Sequence, residues 1–335
     1  MELLLTGSTG FVGRNLLIRI VSDPAFSRWS RIWLPVRDPA KLRGQLGEEG
    51  IAGDSRLLPV AVSGNLWSLP PDASPSLVIH AAGLLFGRSR RDYFDVNVVG
   101  SLRLAAQLPR TCRMILLSSQ AAGGPTPRGA GARSAGHPDA PVSWYGASKL
   151  GLERELRSRL GRRLCILRPP MVLGPRDSAT VPLFRMAAGP VRLKPGFRPK
   201  HYSWIDVGDL CTAILAAAAD PGECERHGPL YLGSGCSSIT DLELLDTAAR
   251  VIGARGRTIP VPHAVIRLAS LAVDRVPAWR AAAPSLGIDR VREILPDRWV
   301  CDPDPFVRAF GRGVTRTLEA TLGETAEWLR SRGIL

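Results

Sequence analysis

Short apolar runs alternate with amphipathic stretches along the first half of the chain. The runs that predict β-strands cover residues 2–6, 31–36, 56–62, 77–81, 113–118 and 162–168. Amphipathic stretches that predict helices lie between them, at 11–22, 93–107 and 145–160. Because strands covered on both faces are apolar throughout, this pattern is typical of βαβ units around a parallel sheet.

The pattern becomes less regular after Pro169, where prolines and aromatic residues are more frequent. Helices are predicted at 206–219, 240–253, 262–276 and 323–333, and a short strand at 230–232. Residues 121–141 are rich in Gly, Pro, Ala and Ser and predict a long loop. A loop of this length in a compact domain is usually functional or mobile.

A glycine-rich segment directly follows the first predicted strand. Gly7, Gly10 and Gly13 have the spacing G-x-x-G-x-x-G in the sequence TGSTGFVG at 6–13. Glycine at these positions allows a tight turn and a close approach of the backbone to a pyrophosphate at the N-terminus of the next helix. The position between a strand and a helix therefore predicts a dinucleotide site.

The end of the second predicted strand indicates which dinucleotide is bound. A carboxylate at this point binds the ribose 2′-hydroxyl of NAD, whereas an arginine accommodates the 2′-phosphate of NADP. The strand ends in Arg37 and Asp38. Arg37 favours NADP(H), and Asp38 keeps NAD(H) open as the alternative.

Tyr145 and Lys149 lie four residues apart in a predicted helix, so they share one face. A free tyrosine has a pKa of about 10, and a nearby ammonium group lowers it towards the range useful for acid–base catalysis. The sequence LLSS at 116–119 ends a predicted strand between the glycines and this pair. The order of these three features strengthens a catalytic interpretation of the Tyr–Lys pair.

At this point the sequence resembles the short-chain dehydrogenase/reductases, specifically their extended branch, over nearly its whole length. Besides the glycine segment and LLSS, the resemblance rests on VRDP at 36–39, GNL at 64–66, HAAG at 80–83, Asn97 in DVNVVGS, YGASK at 145–149, RPPMVLGP at 168–175, WIDVGDL at 204–210 and YLGSG at 231–235. It implies an α/β fold: a Rossmann domain with a doubly wound parallel sheet (1–168, joined again by about 204–232) and a smaller C-terminal substrate-binding domain (mainly 169–335).

The resemblance also implies roles for individual residues. Tyr145 is the expected general acid/base, Lys149 lowers its pKa and binds the nicotinamide ribose, and Ser119 binds the substrate oxygen, with Ser118 the less favoured candidate. The residues expected at the cofactor are Gly7, Thr9, Gly10, Phe11, Val12, Gly13, Arg37, Asn65, Leu66, Ala81, Ala82, Gly83, Lys149, Pro169 and Val172. The residues expected at the substrate are Ser119, Tyr145, Arg198 and Lys200, and no metal site is expected.

The reaction favoured by these residues is hydride transfer between NADP(H) and a secondary alcohol or ketone of a small molecule. A dehydratase is set aside, because Ser119-Gln120-Ala121 stand where dehydratases that resemble this fold have Thr-Asp-Glu. Three alternatives stay open: a nucleotide-sugar epimerase with retained NAD, a sterol-type dehydrogenase at a membrane surface, and a non-catalytic dinucleotide sensor.

Two segments bear on those alternatives. The basic stretch that includes Arg198 and Lys200 would bind a pyrophosphate in an epimerase, although a solvated loop is favoured. The helix at 262–276 has an apolar stripe that includes Val265 and Leu268, and it would touch a membrane in a sterol-type enzyme. Packing of that stripe on the substrate domain is favoured.

The chain has 335 residues, 44 Lys and Arg against 30 Asp and Glu, and a formal net charge of +14. The charges are scattered without a basic arm or a nucleic-acid-binding motif, so nucleic acid is not expected as a partner. A hydrophobic fraction of 45% argues against disorder. The helices at 93–107 and 145–160 resemble the pair through which the branch often dimerises, which implies a homodimer.

Six cysteines, at 112, 165, 211, 224, 236 and 301, have no metal-ligand spacing. They are expected to be reduced, as in a cytosolic protein. No apolar stretch approaches the 18 residues of a membrane span, and the N-terminus has no secretory signal. These features predict a cytoplasmic enzyme.

Overall fold

Seven parallel strands form the central sheet, and six of them follow the apolar runs of the first half of the chain. The structure is a computed structural model and describes residues 1–63, 67, 69–233, 238–276, 279, 287–311 and 315–335. Its strands are β1 (Glu2–Thr6), β2 (Arg31–Val36), β3 (Leu57–Ala61), β4 (Leu77–His80), β5 (Arg113–Leu117), β6 (Leu164–Arg168), β7 (Met171–Leu173), β8 (Val191–Pro195), β9 (His201–Tyr202), β10 (Trp204–Asp206), β11 (Leu230–Tyr231), β12 (Ile239–Thr240), β13 (Arg257–Val261) and β14 (Arg298–Trp299).

The α-helices lie between and after these strands. They are α1 (Phe11–Ser22), α2 (Pro39–Glu48), α3 (Arg90–Phe94), α4 (Ser101–Ala105), α5 (Gln120–Gly123), α6 (Trp144–Leu160), α7 (Val181–Ala188), α8 (Val207–Ala219), α9 (Pro221–Arg226), α10 (Asp241–Val251), α11 (His263–Arg275), α12 (Ile288–Ile294), α13 (Asp304–Phe310) and α14 (Leu318–Ser331). Single 3₁₀ turns occur at Pro24–Phe26, Gly161–Arg163 and Ser178–Thr180.

The central sheet has the order β11–β6–β5–β4–β1–β2–β3, and all neighbouring pairs are parallel. The chain leaves β1 towards β2 and β3 on one side and returns to β4, β5 and β6 on the other. In such sheets, ligands bind in the crevice at the carboxyl ends of the strands where the order reverses. The expected doubly wound parallel sheet is therefore present, and its crevice lies beyond β1 and β4.

Both faces of the sheet are covered by helices. On one face α1 and α8 bury Leu16, Ile20 and Ile214, while on the other α6 buries Leu152 and Leu156. This two-sided burial is the physical reason for the nearly continuous apolar strands. It removes the polar–apolar alternation that a half-exposed sheet would have.

The helix predicted at 93–107 is interrupted. Its first part is α3, its last part is α4, and the residues between them, Asp95–Gly100, form a π-helical segment that contains buried Asn97. π-helical insertions are rare and often occur at functional sites. The extra residue of a π-helical turn shifts the following apolar positions by one, and this change is too small to recognise in so short a stretch.

The C-terminal part has its own apolar cluster, in which α7, α10 and α14 bury Phe184, Ala248 and Leu322. Beside it, β8 pairs with β13, and β12, β9 and β14 form a three-stranded sheet. β11 returns to the central sheet beside β6, while β10 pairs with β7. The chain therefore passes repeatedly between the two parts, and α13 also returns to the central core through Phe306.

The long loop predicted at 121–141 begins within α5 and is then bonded to the C-terminal part. The Thr126 amide donates to the Arg298 carbonyl at 3.0 Å, and the Arg133 amide donates to the Val300 carbonyl at 2.8 Å. The Asp302 amide returns a bond to the Arg133 carbonyl at 2.9 Å. This loop is therefore fixed across the C-terminal strand β14 by backbone hydrogen bonds.

One expectation about the cysteines is wrong. Cys112, Cys211 and Cys301 are free and buried, but Cys165 in β6 is disulfide-bonded. Among the residues that the structure describes, no helix is both long and apolar enough to cross a bilayer. Within the same ranges, no group of three His, Cys, Asp or Glu residues is arranged to hold a metal ion.

Candidate active site

The glycine segment forms the tight turn between β1 and α1. Gly7 has a φ of +76°, and a Cβ there would lie 2.8 Å from the backbone of Ala81 and Ala82. A Cβ at Gly13 would lie 2.1 Å from the Gly7 carbonyl oxygen. Only glycine fits at these two positions, because the turn, the end of β4 and the first turn of α1 touch each other.

The N-terminus of α1 is available to a ligand. Gly10 is its exposed N-cap residue, no side chain caps the helix, and the Gly10 amide donates to the Gly7 carbonyl at 2.9 Å. The first amides of a helix carry a partial positive charge and bind phosphate. The turn therefore fits a dinucleotide pyrophosphate. Thr9 lies in the turn, and Phe11 and Val12 are partly buried against the core behind it.

The chain after β4 connects this turn to Lys149. The Ala82 amide donates to Thr6 Oγ1 at 3.2 Å. A Cβ at Gly83 would lie 3.8 Å from Lys149 Nζ. Ala81, Ala82 and Gly83 thus line the passage from the glycine turn to Lys149, where a dinucleotide would lie.

The other expected cofactor residues differ in placement. Pro169 is buried, and its carbonyl accepts from the Gln120 amide at 2.8 Å, while Val172 in β7 is half-buried against the core. Asn65 and Leu66 lie outside the described residues.

Arg37 and Asp38 have different surroundings at the end of β2. The Asp38 carboxylate caps α2 and accepts from the Lys41 amide at 2.9 Å. Arg37 is exposed and forms no ion pair among the described residues. Gln45 Nε2 of α2 donates to the Thr9 carbonyl at 3.4 Å, which brings this helix to the glycine turn.

Ser119 and Tyr145 are brought together by the close packing of α6 on the turn after β5. Ser143 caps α6 by accepting from the Gly146 amide at 2.9 Å. A Cβ at Gly146 would lie 2.3 Å from the Ala121 carbonyl oxygen, so this contact requires glycine. Ser119 then hydrogen-bonds Tyr145 and lowers its pKa.

Ser118 points elsewhere. It is buried, and its hydroxyl donates to Glu153 of α6. The geometry thus favours Ser119 over Ser118 as the serine that faces a substrate. The alternation of side chains at the strand end separates the two adjacent serines.

Lys149 is 4% exposed and donates from Nζ to the Leu117 carbonyl at 2.6 Å. Burial lowers the pKa of Lys149 to about 8, against a raising effect of Glu153. The ammonium form therefore predominates at neutral pH. It lies at the carboxyl end of β5, within the crevice.

Asn97 and His80 organise the floor of this crevice. Asn97 Oδ1 accepts from the Leu84 amide at 2.6 Å, and its Nδ2 donates to Ser148 Oγ at 2.9 Å. Both ring nitrogens of His80 are hydrogen-bonded, and burial together with Lys149 lowers its pKa to about 3. His80 is therefore a buried histidine whose two ring nitrogens both have partners within the protein. The bonds of Asn97 with Leu84 fix the chain after Gly83, a contact that the motif around Asn97 did not predict.

Tyr145 does not show the lowered pKa expected from its Lys149 neighbour. Burial is the largest effect and raises the pKa of Tyr145 to about 12, and the Glu293 charge adds to the increase. Ser119 and Arg290 lower it by smaller amounts. In this structure the phenol therefore keeps its proton at neutral pH.

Helix α12 supplies residues to the site that sequence reasoning missed. Glu293 accepts from the Ser143 hydroxyl, and its pair with Arg290 spans 2.7 Å. The Arg290 guanidinium lies 5.6 Å from the ring centre of Tyr145 and 5.4 Å from that of Phe86. About 150 residues separate the two segments, and the charges of IDRVREI match an ordinary solvated helix, so no local signal marks them.

We expect Glu293→Gln to lower the pKa of Tyr145, because it removes a negative charge and keeps an oxygen for Ser143. Alcohol oxidation needs the phenolate, so its rate would rise at a lower pH than in the parent protein. The measurement is the pH profile of kcat for oxidation. Glu155→Gln, an exposed change on α6, is the matched control, and an unchanged profile for Glu293→Gln would contradict the assignment.

Lys200 neither binds a substrate nor lies in a solvated loop. Lys200 is fully buried, and its ammonium donates to the Leu295 carbonyl at 2.7 Å, the Pro296 carbonyl at 3.2 Å and Asp297 at 3.3 Å. Its three N–H bonds are used within the protein, so it offers no donor to a substrate. Arg198 is exposed, and no contact places it at Tyr145.

Comparison with known proteins gives a consistent result. The family model described as "NAD dependent epimerase/dehydratase family" matches residues 3–231. A protein named ceramide reductase from Caulobacter vibrioides is 30% identical over 346 residues, which cover 99% of this chain and 95% of that protein.

Two solved structures share the fold over almost the whole chain. A UDP-glucuronic acid 4-epimerase from Bacillus cereus, in complex with UDP-glucuronic acid and NAD, is 16% identical with a TM-score of 0.73, covering 99% of this chain and 100% of the other. A dTDP-glucose 4,6-dehydratase from Bacillus anthracis, in complex with NAD, is 15% identical with a TM-score of 0.70, covering 100% of both chains.

The family match covers more than half of the chain, and the glycine turn, Ser119, Tyr145 and Lys149 meet in one crevice. The chain therefore belongs to the NAD-dependent epimerase/dehydratase family and is an NAD(P)-dependent oxidoreductase of the extended short-chain dehydrogenase/reductase type.

Proposed function

We propose that the protein is an NADP(H)-dependent reductase that converts a ketone into a secondary alcohol. The observation that carries the cofactor preference is the end of β2, where Asp38 caps α2 and Arg37 is exposed without a partner among the described residues. A free guanidinium at this point suits a 2′-phosphate, because it forms bidentate charge-assisted hydrogen bonds.

The site residues suit the reductive direction. When bound, the nicotinamide cofactor supplies the hydride. Tyr145 keeps its proton at neutral pH and donates it from the phenol oxygen to the oxygen of the developing alkoxide. Ser119 donates a hydrogen bond to the same oxygen where negative charge grows. Lys149 holds the cofactor ribose with its buried ammonium.

We further propose that the ketone is carried by a ceramide-class lipid, an amide with long hydrocarbon chains. The support is the ceramide reductase of Caulobacter vibrioides, which is similar over nearly the full length of both chains. The sterol-type alternative and this proposal share an apolar substrate. A homodimer stays a prediction. Cytoplasmic location also stays a prediction, but it loses the support of reduced cysteines, because Cys165 is disulfide-bonded.

The substrate proposal is tested by incubating the purified protein with NADPH and the ketone form of a ceramide dispersed in mild detergent. We expect NADPH oxidation and formation of the alcohol, identified by mass spectrometry. Inversion of a nucleotide-sugar with tightly bound NAD and no net oxidation would instead assign the epimerase reaction.

The cofactor proposal predicts that Arg37→Glu raises the KM for NADPH by about 10- to 100-fold, which corresponds to the loss of one or two charge-assisted hydrogen bonds. The KM for NADH should stay the same or fall. Initial rates with both cofactors provide the measurement. Arg43→Glu makes the same charge change at an exposed position on α2 and should leave both values near those of the parent. An unchanged KM for NADPH in Arg37→Glu would mean that Arg37 is not the selector.

A further inference from the structure

Helix α11 exposes the apolar stripe that was expected to pack on the substrate domain. Val265, Leu268 and Leu271 are 51%, 67% and 40% exposed, and Ser270 is the one buried residue of the helix. The expectation of packing is therefore wrong for this stripe. An amphipathic helix with its apolar side in water needs a further partner.

The ribbon formed by β8 and β13 is also apolar on its outer side. Val191 and Leu193 of β8 are 50% and 52% exposed, and Ile259, which pairs with Leu193, is 47% exposed. The usual alternation of a one-sided sheet places apolar side chains inwards. Here the order is inverted.

The inner side of the ribbon shows how the inversion is stabilised. Arg192 and Lys194 of β8 are buried, and they pair with Asp246 at 3.2 Å and with Asp241 at 3.1 Å. The charged side chains of β8 therefore form ion pairs on the inner side of the ribbon, and none of them makes the outer side polar. The apolar outer side follows from the alternation of side chains along the strand.

The ribbon and α11 lie side by side in the structure. The Gly196 amide donates to the Val261 carbonyl at 2.8 Å. A Cβ at Gly196 would lie 2.5 Å from His263 Nε2, so the end of β8 touches the start of α11. Phe197 follows directly and is 72% exposed. We group the exposed apolar side chains of these adjoining elements as the apolar face: Val191, Leu193, Phe197, Ile259, Val265, Leu268 and Leu271.

The exposed charged side chains on the segments that carry the apolar face are positive, whereas the neighbouring carboxylates Asp246 and Asp297 pair with Arg192 and Lys200. The positive charges belong to Arg198, Arg255, Arg257, Arg267 and Arg275, none of which forms an ion pair among the described residues. The segments 189–201 and 254–275 contain one acidic residue, Asp274, which is half-buried and accepts from the Ile288 amide at 2.9 Å. A cationic border around exposed apolar side chains is the pattern that binds an anionic membrane surface.

We propose that the apolar face docks on the surface of a bilayer that contains anionic phospholipid, with its side chains inserted at the headgroup level and without a membrane span. A second copy of the chain is disfavoured as the occupant, because a two-fold interface through this face would place arginines against arginines.

Membrane docking through this face does not depend on the proposed reaction, but it would bring the site close to a lipid substrate. α11 contacts α12 through the bond between Asp274 and Ile288. α12 carries Arg290 and Glu293, which lie beside Tyr145. The docking face and the reacting groups are thus joined by one short helix.

The test is co-sedimentation of the purified full chain with vesicles of phosphatidylcholine alone or with an equal amount of phosphatidylglycerol. We expect binding to the mixed vesicles and at least about tenfold weaker binding to phosphatidylcholine alone. Phe197→Ser combined with Leu268→Ser should weaken binding by about tenfold or more, because the buried apolar area is lost without a change of charge. Ile334→Ser, an exposed apolar change at the C-terminus, is the control.

The role of the basic border is tested separately. Arg267→Glu combined with Arg275→Glu should weaken binding more than Arg43→Glu combined with Arg159→Glu, which makes the same net change on other surfaces. Equal effects of the two arginine pairs would overturn the proposal. So would unchanged binding of the variant that combines Phe197→Ser with Leu268→Ser. If the protein formed a concentration-dependent oligomer, and if Phe197→Ser combined with Leu268→Ser abolished it, the apolar face would instead bind a second copy of the chain.

NADPH binding, measured by fluorescence in all variants without vesicles, should match the parent protein and shows that each variant is folded. Because docking is measured without substrate, failure of the proposed reaction and failure of membrane binding give separate results.

Discussion

Replacing Tyr145 by phenylalanine is expected to lower kcat by about 10²- to 10⁴-fold, the usual contribution of a positioned general acid. The variant loses only the phenol oxygen that hydrogen-bonds Ser119. The ring keeps its packing against Tyr93, whose ring centre lies 6.3 Å away. The proton that must reach the alkoxide then has no donor, so the chemical step slows while cofactor binding is retained.

The measurement combines single-turnover reduction with NADPH binding followed by fluorescence. Tyr93→Phe is the matched control. It removes the hydroxyl of the neighbouring tyrosine, which donates to the Leu85 carbonyl at 3.3 Å, and should keep most of the activity. If Tyr145→Phe retained kcat within about tenfold of the parent, another group would have to supply the proton.

The second large effect concerns stability. Arg168→Met is expected to lower the free energy of unfolding by about 3–5 kcal/mol, because it leaves a buried carboxylate without its partner. Arg168 is 1% exposed and donates from Nε and Nη2 to Glu153 at 2.9 and 2.5 Å. It also donates to Asp139 at 2.7 Å and to the Tyr231 hydroxyl at 2.8 Å. These bonds connect β6, α6, β11 and the loop after α5 behind the active site.

Urea unfolding followed by circular dichroism measures this loss. Arg159→Met is the matched control on α6, because its pair with Glu155 is exposed and long, and it should change stability by less than about 0.5 kcal/mol. Removing Glu153 as well, in Arg168→Met combined with Glu153→Gln, should recover part of the loss. A loss below about 1 kcal/mol in Arg168→Met would show that Glu153 is compensated in another way.

The Arg168 network also bears on catalysis. Glu153 raises the pKa of Lys149, against the larger effect of burial. In Arg168→Met combined with Glu153→Gln, the pKa of Lys149 should therefore fall further, so that a smaller fraction of Lys149 is protonated at neutral pH. The variant should bind the cofactor more weakly above pH 7. Buried charge in this family member thus supports both the fold and the protonation state of the site.

The sequence alone determined the central sheet and the glycine turn. Strands covered on both faces must be apolar throughout, so β1, β2, β4, β5 and β6 are visible as apolar runs. The spacing of Gly7, Gly10 and Gly13 is equally local, because the turn, the approach of β4 and the first helical turn each exclude a Cβ. That Tyr145 and Lys149 lie four residues apart on one helix also follows from the sequence, because both fall within α6.

The tertiary structure decided everything that depends on contacts between distant segments. Glu293 and Arg290 reach Tyr145 from α12, and burial raises the pKa that the Tyr–Lys spacing was expected to lower. Lys200 was expected to bind the substrate, but its ammonium group donates to backbone carbonyls about 95 residues later in the chain. Helix α11 has the periodicity of a packed helix, yet its apolar stripe is exposed. Periodicity and motif spacing report which side chains share a face, whereas burial and charge depend on which distant segment covers that face.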